Sequence, residues 1–260
     1  DRSTMETVIQ PVDEFIETFV KALKKLQYHD FIAKLQANYV REAKEDLGPN
    51  EYLVLADFSE NYSCVCQDAV QAFHWNKVQA TIHPFLCYYR DGRGNVLSKC
   101  YLVTCISECT KHDTVAVHQF QRKLVDFLTA TFEQKPSKIM YVSDGCAAQY
   151  KNRKNFINLC YHMDDFGVPA EWHFYATSHG KTAADGIAGT LKRLATKASL
   201  QNLYENHILN SKQLYEFALK EIKGMSFGYV TNEEYEDEAK FLKARFAQSK
   251  RIVGTQKLHY

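Results

Sequence analysis

Proline and glycine are scarce in this sequence, five and eleven among 260 residues. That scarcity excludes a collagen-like or a Pro/Gly-rich disordered chain. No internal repeat, low-complexity tract or long linker interrupts it. Net charge is nearly absent as well: 32 Lys and Arg balance 31 Asp and Glu, leaving a formal +1. A strongly basic chain is thereby excluded, although a local basic patch can coexist with a neutral total. No apolar run is long enough to span a membrane, and no signal-peptide pattern precedes the cysteines. No zinc-finger or homeodomain-like helix set can be recognised. The first residues are Asp-Arg-Ser-Thr rather than a methionine, so a missing module counts neither for nor against any reading.

What is present is the composition of a soluble globular protein, 45% hydrophobic and 24% charged. The length allows one substantial core with helical additions, or two small domains. Eight cysteines are present: Cys64, Cys66, Cys87, Cys100, Cys105, Cys109, Cys146 and Cys160. Several lie in apolar, strand-like runs, where a reduced cysteine behaves as a small hydrophobe. They read as reduced thiols of a cytosolic or nuclear protein. Cys105-x-x-x-Cys109-x-x-His112 and Cys64-x-Cys66 fit no trusted zinc spacing, so packing or surface thiols are the better reading.

The first fifty residues have helical periodicity, with Val12, Phe15, Ile16, Phe19, Val20 and Leu23 recurring on one face. A second helical stretch is expected from about Asp30 to Asp46, ended by Gly48-Pro49. The texture then changes. Tyr52 to Ala56 is a continuous apolar run suited to a strand buried on both faces. Gln79 to Arg90 and Val96 to Ser107 are predicted as two more strands, with a hairpin signal at Asp91-Gly92-Arg93-Gly94-Asn95 between them. Helices are expected over Thr114–Phe132, Tyr150–Asp165 and Thr182–Leu200, alternating with strands over Lys138–Ser143 and Glu171–Thr177. The last sixty residues are predicted to be helical, one element around Leu214, Phe217, Ala218 and Ile222 and another over Glu233–Phe246. The expected fold is therefore α/β: a mixed five-stranded sheet, three strands antiparallel and then two parallel, flanked by helices. The organisation is a helical region at 1–50, a core at 51–200 and a helical region at 201–260.

Two aspartates hold the same relation to their strands. Asp57 follows Tyr-Leu-Val-Leu-Ala and Asp144 follows Ile-Met-Tyr-Val-Ser. A right-handed crossover can lay the fourth strand parallel to the first. As direct neighbours their ends would lie about 5 Å apart, at the carboxyl edge where open α/β sheets bind ligands. Two ionised carboxylates that close require a proton or a cation. Oxygen-only ligation suits Mg²⁺ or Mn²⁺, and two such ions about 4 Å apart can serve phosphodiester chemistry. A plain strand-end or turn aspartate is the competing explanation. A third acid should come from another element, and Asp185 stands in His179-Gly-Lys-Thr-Ala-Ala-Asp-Gly-Ile-Ala-Gly189. Ile187, Leu191 and Leu194 would pack inward, with Asp185 on a separate stripe beside Lys181, Gly189 and Lys192. Gly186 and Gly189 each cost a helix roughly 1 kcal/mol against alanine, a cost explained if another backbone or a metal site comes close. Glu171, Asp164 and Asp165 compete for the third place but lie toward the far end of the fifth strand.

Around these acids, Gln149, Lys151, Asn152, Arg153 and Lys154 open a helix after Asp144. Helix amino ends favour phosphate; a solvated helix start explains them equally well. Lys192 and Arg193 add charge to the third helix, and His179 or Lys181 can meet a scissile phosphate or leaving group. Glu60 and Asn61 can orient Asp57, and Ser59 is as plausible as a turn residue.

Three blocks carry a resemblance: Ala-Asp-Phe-Ser-Glu-Asn-Tyr (56–62), Ser-Asp-Gly-Cys-Ala-Ala-Gln-Tyr-Lys-Asn (143–152) and Ser-His-Gly-Lys-Thr-Ala-Ala-Asp-Gly-Ile-Ala-Gly (178–189). Together, over roughly residues 50–200, they resemble DDE/D transposases of the Mutator-like or a related cut-and-paste group and their domesticated relatives. The resemblance implies an RNase H-like fold, two Mg²⁺ or Mn²⁺ ions held by Asp57, Asp144 and Asp185, and DNA cleavage followed by strand transfer. It also implies DNA as partner, a homo-oligomer on that DNA and a nuclear location. The third block departs from the family pattern at Thr182 and Ala188, where glycine is usual, and its acid is Asp rather than Glu. Two rivals stand beside this expectation: a catalytically silent, domesticated scaffold that binds DNA or protein, and a structure-specific or RNase H-type nuclease.

Overall fold

The computed structural model describes residues 7–65, 78–90, 98–175, 183–201 and 207–250. Helix α1 (Val12–Glu45) comes first, then β1 (Glu51–Ala56), β2 (Tyr62–Ser63), β3 (Gln79–Arg90) and β4 (Ser98–Ser107). Next are α2 (Thr114–Phe132), β5 (Lys138–Ser143), α3 (Arg153–Cys160), α4 (His162–Phe166), β6 (Ala170–Phe174) and α5 (Ala183–Gln201). The chain continues through α6 (Ser211–Glu221), β7 (Ser226–Val230) and α7 (Asn232–Gln248).

The α/β class and the mixed sheet are as expected. The sheet order is β6-β5-β1-β3-β4-β7, with β2 paired to β3 beside that path. β1, β3 and β4 form an antiparallel meander, and β5 and β6 run parallel to β1. Two strands exceed the expected five. β2 is only two residues long. β7 lies where a helical tail was predicted, and it pairs parallel with β4 from Val103↔Ser226 to Ser107↔Val230. Its sequence, Ser-Phe-Gly-Tyr-Val, is rich in strand-forming residues, but it is short and flanked by strongly helical stretches. The two predicted N-terminal helices are one helix of 34 residues. Between Val12 and Leu47 there is neither glycine nor proline to break it. Conversely, the single helix expected over Tyr150–Asp165 is two, joined at Tyr161. The hairpin signal at 91–95 lies outside the described residues.

Each face of the sheet has its own cover. Tyr52, Val54 and Ala56 of β1 join Phe85, Cys87, Ile139 and Tyr141 in a cluster under Phe120, Leu124 and Leu128 of α2. The alternate residues Leu53 and Leu55 join Leu86, Met140 and Val142 on the other face, under Leu47 and Ile187 of α5. Val40 and Ala43 of α1 pack against the same cluster. Continuous apolar runs in β1 and β5 follow from this double covering. Toward β4 and β7, Ala188, Leu191 and Ala195 of α5 meet Leu214 and Ala218 of α6 over Ala80, Ile82 and Ile106. Helix α2 starts where Asp113 accepts hydrogen bonds from the amides of Val115 and Ala116, both 3.0 Å, and ends at Glu133 in the left-handed region, φ 52°.

Leu124 is fully buried between α2 and the sheet. Leu124→Ala should lower the unfolding free energy by about 2–5 kcal/mol in a urea titration; a loss below about 1 kcal/mol would contradict this packing.

Candidate active site

The strand register brings the first two acids together. β1 and β5 pair in parallel with Leu55 opposite Val142, and Asp57 and Asp144 each stand two residues further on. Leu55 and Val142 point to the same face of the sheet. Continued past the strand ends, the two-residue alternation turns both acids toward that face. Ile187 packs into the Leu55–Val142 cluster, which sets the first turn of α5, and Asp185 within it, over the carboxyl edge.

The charge balance agrees with this geometry. Burial pushes the Asp57 carboxyl up to about 7, and the negative fields of Asp144 and then Asp185 push the same way. The amide of Phe58 opposes them. Asp144 Oδ1 accepts from the amide of Cys146 at 3.1 Å, which fixes the turn after β5. Asp185 is exposed on the first turn of α5. Among the described residues no three His, Cys, Asp or Glu side chains converge tightly enough to hold an ion.

Beneath the acids lies an aromatic floor that the sequence alone did not single out. Tyr150 is fully buried, and burial raises its pKa well above the usual phenol value, with Asp57 and Asp144 adding to the effect. Its hydroxyl shares a 2.9 Å hydrogen bond with His83 Nε2. Burial depresses His83 to about 3, so its ring is neutral. Phe58, next to Asp57, meets His83 edge-on at 4.6 Å and stacks on His112 at 4.4 Å. His112 Nε2 donates to Asn61 Oδ1 at 2.7 Å, and the Thr81 hydroxyl reaches the same oxygen at 3.0 Å. Asn61 therefore ties the Asp57 loop to β3 and to the segment before α2. Only Phe58 and Tyr150 lie near the acids in sequence; His83 and His112 are brought there by the fold.

The chain belongs to the family described as a domain of unknown function, DUF8701. That family matches residues 36–260, a span that takes in the whole sheet and all three acids. No curated protein matches the chain.

The expected phosphate-binding residues divide into groups. Lys192 of α5 is half-buried, its pKa lowered by burial against the opposing pull of Glu60, and its field reaches His112. It therefore sits at the Asp57 loop. Lys151 lies beside Gly145, with its Nζ 5.4 Å from the Phe174 ring centre, and so borders Asp144. Gln149 is half-buried in the same turn, and its carbonyl oxygen lies 3.2 Å from Asn152 Nδ2. Arg153 and Lys154 are exposed and open onto a shallow cleft with Asp113 and Phe246, away from α5. Asn152 is a helix cap: its Oδ1 accepts from the amides of Lys154 and Asn155, and its Nδ2 meets Thr114 Oγ1 and the Ala147 carbonyl. Arg193 is exposed on α5. His179 and Lys181 lie outside the described residues.

A Cβ at Gly186 or Gly189 would meet nothing within 4 Å among the described residues. Of the competing acids, Glu171 pairs with Lys138 at 2.7 Å. Asp165 pairs with Arg245 and, at 3.0 Å, with His118. Cys64, Cys87, Cys105 and Cys109 are buried free thiols, as the packing reading required.

A carboxyl whose pKa rises on folding binds its proton more tightly in the folded state. It favours folding when protonated and opposes it as pH climbs from 3.8 to about 7. In chelator, Asp57→Asn should therefore raise the melting temperature above that of the parent protein at pH 8, and the gain should shrink toward pH 4. An equal gain at both pH values, or a loss at pH 8, would contradict the placement of Asp57.

Proposed function

We propose that this chain is the catalytic core of a divalent-metal-dependent, transposase-type enzyme acting on DNA, on an RNase H-like sheet. The observation that carries the proposal is the β1–β5 register, which sets Asp57 beside Asp144 under the turn that bears Asp185. The β4-β3-β1-β5-β6 order supports the RNase H-like reading: a meander, then two parallel strands, with the acids ending its first and fourth members.

The donors suit a hard cation. They are oxygen-only, and the mutual repulsion that raises Asp57 is what a cation between the carboxylates relieves. Asp57 and Asp144 would hold Mg²⁺ or Mn²⁺, with Asp185 approaching from α5. When bound, two such ions activate an attacking water or 3′-hydroxyl and stabilise the leaving oxygen of a phosphodiester. The chain's own residues supply the rest. Lys192 and Lys151 flank the acids with positive charge for the DNA backbone. Phe58, His83 and Tyr150 close the underside of the site to water and carry no charge of their own at neutral pH.

One observation favours the silent-scaffold reading: the described residues include no closed three-donor group, and Asp185 is exposed. Titration calorimetry with Mn²⁺ separates the two, since the enzyme reading requires binding that Asp57→Asn abolishes. For activity, the chain should nick duplex DNA only with Mg²⁺ or Mn²⁺, and Asp144→Asn should reduce the rate by a hundredfold or more, about 2.7 kcal/mol of barrier. Equal nicking by Asp144→Asn sinks the proposal, and a preference for RNA–DNA hybrids or branched DNA moves it to the nuclease reading.

A further inference from the structure

A cleft of about 430 Å³ lies between the later part of α1 and β6, with Tyr39, Lys151, Trp172, His173 and Phe174 in its walls. Consecutive side chains of a strand point to opposite faces. A cleft lined by Trp172, His173 and Phe174 together therefore wraps the outer edge of β6. That edge has no strand beyond it among the described residues. On the inner side, the Ile139 amide donates to the Pro169 carbonyl and the Tyr175 amide to the Ser143 carbonyl. In this parallel ladder the backbone groups of Glu171 and His173 turn toward β5, and those of Trp172 and Phe174 turn outward.

The walls are aromatic and held in place. Trp172 stacks on Tyr141 at 4.9 Å, and its indole N–H donates to Ser143 Oγ at 2.9 Å. Phe174 lies 6.4 Å from Trp172, with the rings 22° from parallel. Across the cleft, Tyr39 is 46% exposed and its ring centre is 4.9 Å from that of His173. The cation is Lys151. Its side chain passes Gly145, the residue after Asp144, and its Nζ sits 5.4 Å from the Phe174 ring centre. One lysine thus joins the acid edge to the aromatic cleft.

We propose that this cleft takes one unpaired nucleotide of a DNA strand leaving the acid edge. The base lies between Tyr39 and the Trp172–Phe174 edge, and the outward backbone groups of those two residues meet its hydrogen-bonding edge. Lys151 meets its phosphate. Flat aromatic walls, backbone donors and acceptors, and a cation at the end nearest the acids match the three parts of a nucleotide. A base inside a duplex has its faces and its hydrogen-bonding edge already occupied, so the ligand is a base outside the pair. A peptide strand added to β6 would use the backbone groups but brings no recurring anion for Lys151. The choice of DNA rests on the activity proposed above; the cleft itself uses none of the acids.

The chain has two tryptophans, Trp75 and Trp172, so Trp75→Phe leaves Trp172 as its one indole. In chelator, where the proposed cleavage is off, a single-stranded oligodeoxythymidine should quench Trp172 emission saturably. An abasic strand of the same length and a blunt duplex should not. Tyr39→Ala and Lys151→Ala should each weaken binding about tenfold, and Lys151→Arg should keep it. No quenching by the oligodeoxythymidine, equal quenching by the abasic strand or the duplex, or unchanged binding in Tyr39→Ala overturns the inference. Mn²⁺ calorimetry on the same protein keeps the two readings apart. Quenching without Mn²⁺ binding supports the nucleotide site and removes the proposed activity, and Mn²⁺ binding without quenching does the reverse.

Discussion

The parallel pairing of β1 with β5 is the contact on which the rest of this structure depends. Side chains alternate along a strand, so a slip of one position would send every apolar residue of the slipped strand to the opposite layer. Both faces here are covered, one by α2 and the other by α5 and the end of α1. The register is therefore fixed by packing, and the same register fixes where Asp57 and Asp144 stand. Stability and the candidate site share one cause.

The surroundings of that site are built to tolerate like charge at close quarters. Asp57 leans toward its protonated form because it is buried and faces two other acids. The neutral His83–Tyr150 pair below adds no compensating charge. Among the described residues, a second group of buried charges is matched internally. His118 bridges Glu238 at 2.6 Å and Asp165 at 3.0 Å, Arg122 reaches Glu238, and Arg245 reaches Asp165. That network clamps α2, α4 and α7 to one another.

Much of this was legible in the sequence, for identifiable reasons. Apolar runs in β1 and β5 and strict helical periodicity in α2 mark those elements unambiguously, since burial on both faces and amphipathicity leave different patterns. β7 escaped because five residues inside a helical context carry too little periodicity to register. The long α1 escaped as a unit because its exposed and packed halves have different faces, although no breaker separates them. Of the site, Asp57 and Asp144 could be read from strand position. The floor of Phe58, His83, His112 and Tyr150 could not, because its members come from four separate segments and only the fold assembles them. Asn152, read from sequence as a phosphate donor, is a helix cap, a role that the same residue type at a helix start signals equally well.

The central claim is that the β1–β5 register builds a divalent-cation site. Crystals of the chain soaked in Mn²⁺ and measured near the manganese absorption edge test it directly. The account predicts an anomalous difference peak in contact with both Asp57 and Asp144 carboxylates, lost in Asp57→Asn crystals. A map without a peak at that edge, with Mn²⁺ bound elsewhere or nowhere, would contradict it.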